Sequence, residues 1–169
     1  MILKPKKHLG QNFLINEEIA KNIVGSLVLK KSENIIEIGP GKGALTKFII
    51  QKSNYIKLIE IDLSCVRVLK NKFQKLTVIH DDFLKIDLNT LGFTKYALIG
   101  NFPYNVSSQI LFHALNYRNN ITEIVGMFQK EVAERICSKP NSKKYGVLSV
   151  ILQAYFDCEQ LFDVSSKNF

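Results

Sequence analysis

Apolar residues recur along the chain in two alternating rhythms. Ile19, Ile23, Val24 and Leu27 are spaced by three or four, the period of a helix with one buried face, and Asn16 before them is a natural N-cap. From residue 34 the pattern changes to short apolar runs at 34–38, 55–61, 76–80, 96–100 and 121–128, each read as a buried strand. Helical spacing returns between the runs, at 44–52, at 63–73 behind Asp62 as N-cap, at 107–116 and at 129–138. Beyond the turn-rich KPNSKKYG stretch, 147–155 reads as a helix and 156–164 as a sixth strand. Strand–helix alternation at this spacing predicts an α/β fold, a mostly parallel sheet with helices on both faces. No repeat, low-complexity tract or linker divides the chain, and 169 residues make one domain.

Ligands of such sheets bind beyond the carboxyl ends of the strands, at the point where strand order reverses. The unusual residues of this chain lie there. The first strand runs into Glu37-Ile38-Gly39-Pro40-Gly41-Lys42-Gly43-Ala44. Its glycines let the backbone turn sharply and approach a ligand with no Cβ in the way. No Lys-Ser/Thr pair follows, so this is not a phosphate-binding P-loop. Ala44 as the final small residue keeps a dinucleotide site formally open. The second strand ends in Glu60, where an acid can take both hydroxyls of a ribose. The third ends in Asp82-Phe83: Asp82 can accept from an adenine amino group and Phe83 can cover its ring. Two such acids without a pyrophosphate site suit an adenosine cofactor better than a nicotinamide dinucleotide.

The fourth strand ends in Asn101-Phe102-Pro103-Tyr104-Asn105. An adenine exocyclic amine is a poor nucleophile because its lone pair is delocalised into the ring. A site that accepts both amino hydrogens, through the Asn101 amide and a carbonyl aimed by the rigid Phe102-Pro103 step, frees that lone pair. Tyr104 offers a face on which an extruded base can stack. A plain turn after a strand is the bland alternative.

Composition changes this picture little. The net charge of +8, from 23 Lys+Arg against 15 Asp+Glu, favours a polyanionic partner; lysine-rich solvated faces would give the same number. The lysines group at Lys4, Lys6 and Lys7, at Lys70, Lys72 and Lys75, and at Lys139, Lys143 and Lys144. Cys65, Cys137 and Cys158 stand far apart and read as reduced packing residues of a cytoplasmic protein. His8, His80 and His113 have no ligand spacing, and no metal site is expected. No apolar run approaches the roughly 18 residues that span a bilayer, and the N-terminus lacks the apolar core of a signal peptide.

Taken together, these residues resemble the KsgA-type small-subunit ribosomal RNA adenine dimethyltransferases. The shared stretches are LGQNFL at 9–14, EIGPGKGALT at 37–46, IEID at 59–62, NFPYNVSS at 101–108, FQKEVAERI at 128–136 and PNSKKYGVLSV at 140–150. The resemblance implies a Rossmann-like class I S-adenosylmethionine-dependent methyltransferase: one catalytic domain over 1–169 behind an N-terminal arm of about residues 1–16. It implies that Gln11, Asn12, Leu14, Gly39, Gly41, Glu60, Asp82, Phe83 and Asn101 line the cofactor, and that Glu37 orients its methionine end. Asn101, Pro103 and Tyr104 would serve the target base, and Phe169 would close over it. The implied partners are ribosomal RNA and the immature small ribosomal subunit, where two adjacent adenines near the RNA 3′ end are dimethylated by a monomeric enzyme. Family members continue with a final strand and a small helical domain that docks RNA, so this chain is expected to bind cofactor yet methylate poorly. Three other readings stay open. Relatives that modify large-subunit RNA and confer macrolide resistance share the Asn-x-Pro-Tyr site. The chain could instead be a non-catalytic assembly factor that binds RNA. A nicotinamide oxidoreductase would need a pyrophosphate site and a hydride-handling residue, and neither is found.

Overall fold

A computed structural model describes residues 5–28 and 34–169; Lys4 of the first lysine group lies outside the described residues. A 3-10 turn (Lys7–Leu9) leads into helix α1 (Glu17–Gly25). Then follow β1 (Asn34–Ile38), α2 (Thr46–Ile49), β2 (Ile56–Glu60), α3 (Leu63–Lys72), β3 (Thr77–His80), β4 (Tyr96–Asn101), α4 (Ser107–Leu115), β5 (Ile121–Met127), α5 (Lys130–Ile136) and α6 (Val147–Gln153). Further 3-10 turns lie at Leu88–Leu91 and Ser166–Asn168. All the strand pairings are parallel, in the order β3-β2-β1-β4-β5. Strand order therefore reverses between β1 and β4, and a crevice opens beyond their carboxyl ends.

The near-continuous apolar strands follow from burial on both faces. Ile35, Leu58, Ala97 and Ile99 point into one cluster with Ala20, Ile23 and Val24 of α1, Ile49 of α2, and Val66 and Leu69 of α3. Their neighbours Ile36, Ile38, Ile59 and Leu98 point into a second cluster with Ile110 and Ala114 of α4. The outer side of α4, through Leu111 and Leu115, packs on Ile136 of α5 and Leu152 of α6. Each fully buried Ile or Leu contributes about 1.5–3 kcal/mol of transfer free energy. A good N-cap contributes about 1 kcal/mol. Packing therefore holds the layers, while the caps set where helices start. Asn16 accepts from the N–H groups of Glu18 and Ile19, and Asp62 from that of Ser64.

Two expectations are corrected. The helix predicted at 44–52 shrinks to Thr46–Ile49, because Gly41 and Gly43 hold positive φ and residues 41–45 run as turns. After Ile49 the bonds tighten to a three-residue step, Lys52 N–H to Ile49 O at 2.8 Å. No sixth strand forms at 156–164. Phe156 and Cys158 pack into the α4–α6 cluster, whereas Val164 joins the cluster on the α1 side. Residues 156, 158 and 164 would share one face of a regular strand, yet they pack on opposite sides of the sheet, so the segment does not run along β5 as a ladder partner. No helix among the described residues is long and apolar enough to cross a membrane.

Candidate active site

Parallel pairing brings the carboxyl ends of the strands to one edge of the sheet: Glu37 sits level with Leu58 and Ile99, and Glu60 level with His80. β2 and β4 flank β1, so Glu60 and Asn101 stand on opposite sides of it, about 10 Å apart at sheet spacing. Between them lies a cavity of about 140 Å³. The glycine turn forms one wall and arm residues 9–15 the other, with Glu37, Glu60, Ile61, Asn101, Phe102 and Pro103 completing the lining.

Two carboxyls set its electrostatics. Glu37 is fully enclosed at 1% exposure, and Thr46 Oγ1 donates to its Oε2 at 2.7 Å. Burial raises its pKa to about 8; the Thr46 bond pulls the other way, and the Glu60 charge adds to the rise. Glu37 therefore holds a proton at neutral pH until a cation approaches. Glu60 is also buried, and burial raises its pKa as well. Its Oε2 accepts from Gly41 N–H at 2.8 Å and its Oε1 from Asp62 N–H at 2.9 Å, which fastens the glycine turn to the end of β2. Each carboxylate oxygen has a second lone pair to offer a ligand hydroxyl.

The glycine turn is a cradle. Gly39 lines the cavity with φ +63°, and a Cβ added there would meet no protein atom within 4 Å. The backbone is thus laid open to a ligand. This donor set suits a molecule with a cationic amine near Glu37 and vicinal hydroxyls near Glu60. Among the described residues, no three His, Cys, Asp or Glu side chains gather as a metal site would.

On the β4 side, everything turns on Phe102. Its ring is 1% exposed and meets Phe128 edge-on at 5.0 Å. It fills space left by Gly100 and Gly126, which pair across β4 and β5. A Cβ on Gly126 would come within 2.2 Å of that ring, and one on Gly100 within 2.5 Å of the Ile38 carbonyl. Phe102 N–H also donates to Met127 O at 3.2 Å. Asn101 and Pro103 are therefore held on either side of an immobile ring. The Asn101 Nδ2 donates to the Asn12 carbonyl at 2.7 Å, and the Pro103 carbonyl accepts from Val106 N–H at 3.2 Å. Tyr104 meets Phe169 edge-on at 6.5 Å. Ile15 N–H donates to Asn168 O at 2.9 Å, so the arm, the Tyr104 corner and residues 166–169 converge.

The structure thus gathers Gln11, Asn12, Leu14, Glu37, Gly39, Gly41, Glu60, Asn101 and Pro103 around one cavity. Tyr104 and Phe169 stand together outside its lining. Asp82 and Phe83, one strand further out, are not part of the lining. Asp82 Oδ1 accepts from Leu84 N–H at 3.0 Å, and the Phe83 ring turns into the α4-side core, 5.3 Å from His113. Two arm contacts were not foreseen from the sequence. Phe13 lies against the glycine turn, with Lys42 Nζ 4.4 Å from its ring centroid. Asp62, read only as a helix cap, binds Lys6 and Gln11. The signal for the first was Phe13 itself, a large aromatic beside the polar Gln11 and Asn12.

A parallel sheet with this strand order, a glycine turn after β1 and an acid at the end of β2 define a Rossmann-like domain of the class I methyltransferase type. More particularly, the chain belongs to the ribosomal RNA adenine dimethylase family, whose model matches residues 2–169. It is 52% identical over 99% of its length to the ribosomal RNA small subunit methyltransferase A of Flavobacterium johnsoniae, and covers 65% of that protein. Among solved structures, the dimethyladenosine transferase from Plasmodium falciparum superposes on 84% of this chain with a TM-score of 0.74 at 28% identity. The 23S rRNA methyltransferase ErmE superposes on 75% with a TM-score of 0.68 at 25% identity. The chain spans 52% and 51% of those two proteins, respectively.

Proposed function

We propose that this chain carries the catalytic machinery of an S-adenosylmethionine-dependent enzyme that dimethylates N6 of two adjacent adenines near the 3′ end of small-subunit ribosomal RNA. Its substrate is the immature small subunit, met in the cytoplasm by a monomeric enzyme. The observation that carries this reading is the Asn101 amide. It stands across β1 from Glu60, its nitrogen bonded to Asn12, its oxygen left to accept from an amine.

Glu37 takes the cofactor's ammonium and Glu60 its ribose hydroxyls, while Asp82 accepts from its adenine amino group. Gln11, Asn12, Leu14, Gly39 and Gly41 supply the walls, and Phe83 anchors the loop that carries Asp82. Bound S-adenosylmethionine supplies a methyl carbon already activated by its sulfonium. The target amine donates its two hydrogens to Asn101 Oδ1 and the Phe102 carbonyl, which favours the pyramidal nitrogen and frees its lone pair. Tyr104 and Phe169 hold the extruded base, and Pro103 fixes the turn between amide and ring. No strong base is needed, because the amine loses its proton after attack. One N–H remains after the first transfer, so one of the two acceptors still holds the amine and the same site can act again, with the first methyl in the place of the other hydrogen. Exposed Lys139 and Lys143, beside Lys144 paired with Glu134 at 2.6 Å, offer charge to an RNA backbone.

Likeness to ErmE keeps large-subunit RNA as the second reading. Transfer of labelled methyl to immature small subunits and, separately, to large-subunit RNA decides between them. Label in N6,N6-dimethyladenine of the small-subunit RNA is expected. Label confined to large-subunit RNA favours the second reading, and failure to bind the cofactor overturns both.

A further inference from the structure

Asp62 has more partners than a helix cap needs. Oδ1 accepts from Ser64 N–H at 2.9 Å, the capping bond, and also from Lys6 Nζ at 2.7 Å. Oδ2 accepts from Gln11 Nε2 at 3.0 Å, and Gln11 Oε1 accepts from the Lys6 N–H at 2.9 Å, closing a ring of bonds. The Asp62 N–H in turn donates to Glu60 Oε1 at 2.9 Å. One residue thus joins three parts of the site: its side chain, 3% exposed, holds the start of α3 and the arm, and its N–H holds the carboxylate at the end of β2. Burial opposes its charge, but the bonds from Lys6, Gln11 and Ser64 outweigh that and hold its pKa down to about 2.

Among its described residues the arm forms one 3-10 turn and neither an α-helix nor a strand, so it has little structure of its own to hold its shape. Yet Gln11, Asn12 and Leu14 form a wall of the cavity. At the far end that wall is tied by Asn12 to Asn101, and near Glu60 by Lys6 and Gln11 to Asp62. We propose that Asp62 is a positioning residue for S-adenosylmethionine, holding the N-terminal arm shut over the Glu60 side of the cavity and thereby setting cofactor affinity and residence time. This rests on the cofactor reading given above.

Capping and clasping can be separated, because serine caps a helix as well as aspartate but carries no charge to hold Lys6 and has a single oxygen. Asp62→Ser, the arm-side double variant Lys6→Met/Gln11→Leu and wild type would be compared in three measurements. These are calorimetric affinity for S-adenosylmethionine and S-adenosylhomocysteine, trypsin cleavage after Lys7 with and without cofactor, and thermal unfolding. The expected result is that Asp62→Ser, whose cap remains, lowers the melting temperature no further than the double variant that loses the same bonds, with both cofactor forms bound about 10-fold more weakly or worse. Cofactor should protect the arm from trypsin in wild type and not in either variant. The double variant, which leaves the cap untouched, should show the same loss, and combining it with Asp62→Ser should add little. Asp62→Ser and the double variant each binding within twofold of wild type would make Asp62 a cap alone and overturn the proposal. A wild-type chain that binds no cofactor would remove the cofactor reading and this inference with it.

Discussion

The Asn101 side-chain amide donates to the Asn12 carbonyl at 2.7 Å, and that bond decides which way the amide faces. Turned by half a rotation, the amide would set its oxygen against the Asn12 oxygen. The arm therefore orients the group proposed to meet the amine, although the two residues lie 89 positions apart.

Removing the amide separates binding from transfer. Asn101→Ala should leave S-adenosylmethionine binding weakened but present, and lower methyl transfer by about 10²–10³ or more, the scale of losing one aligned polar group at a reacting centre. Calorimetry and a label-transfer assay read the two effects apart. Transfer at the wild-type rate would rule out the proposed role.

Glu37 predicts a pH dependence. Its carboxyl titrates near 4.5 when unfolded and near 8 when folded, so across that window the folded state holds a proton that the unfolded state lacks. Its contribution is complete below 4.5 and is lost as pH rises toward 8, by at most about 1.4 kcal/mol per pH unit. Glu60 shifts in the same direction. The melting temperature of the cofactor-free chain should fall between about pH 5 and pH 8, and Glu37→Gln should flatten most of that slope.

The same group predicts proton release. An ammonium brought beside Glu37 favours its charged form, so calorimetry at neutral pH in buffers of different ionisation enthalpy should read about one proton released per cofactor bound. The release should vanish in Glu37→Gln. Equal heats in all buffers for wild type would count against the ammonium assignment.

Glu60→Ala removes the acceptor of the Gly41 and Asp62 N–H groups as well as the proposed ribose ligand. Hydrogen bonds to a charged group are worth about 1.5–3 kcal/mol, so affinity for S-adenosylmethionine should fall about 10- to 100-fold. Unchanged affinity would withdraw the ribose assignment.

Gly126→Ala tests the support beneath the substrate corner. The new methyl must displace the Phe102 ring, at an overpacking cost of about 1–3 kcal/mol. Thermal unfolding should register that loss, and methyl transfer should suffer more than cofactor binding, since Phe102 lies between Asn101 and Pro103. A melting temperature equal to wild type would show that the ring has room to move.

Much of this site was legible because it is local in sequence. Glu60 stands out as an acid closing an apolar run, and Asn101 through Tyr104 do so by chemistry alone. Asp62 shows the limit: its bond to Ser64 is visible two positions away, but its bond to Lys6 spans 56. Phe83 was expected to face a bound ring because it follows an acid at a strand tip. The position of His113 on α4, which only the folded chain reveals, draws it into the core instead. The missing strand at 156–164 has the same origin: positions 156, 158 and 164, which a regular strand would turn to one face, pack on opposite sides of the sheet, and a linear pattern records only that they are apolar.

The bond between Asn16 Nδ2 and Asn168 Oδ1, 2.8 Å long, joins residues 152 positions apart. At about 5–20 residues per second, a ribosome makes the second of these roughly ten to thirty seconds after the first. The five strands described above have been made by then, yet Ile15, which lines the cavity, still lacks its partner in Asn168. A nascent domain thus exposes its strand ends to water until residue 168 arrives, and firm ligand capture waits on that bond rather than on the sheet alone.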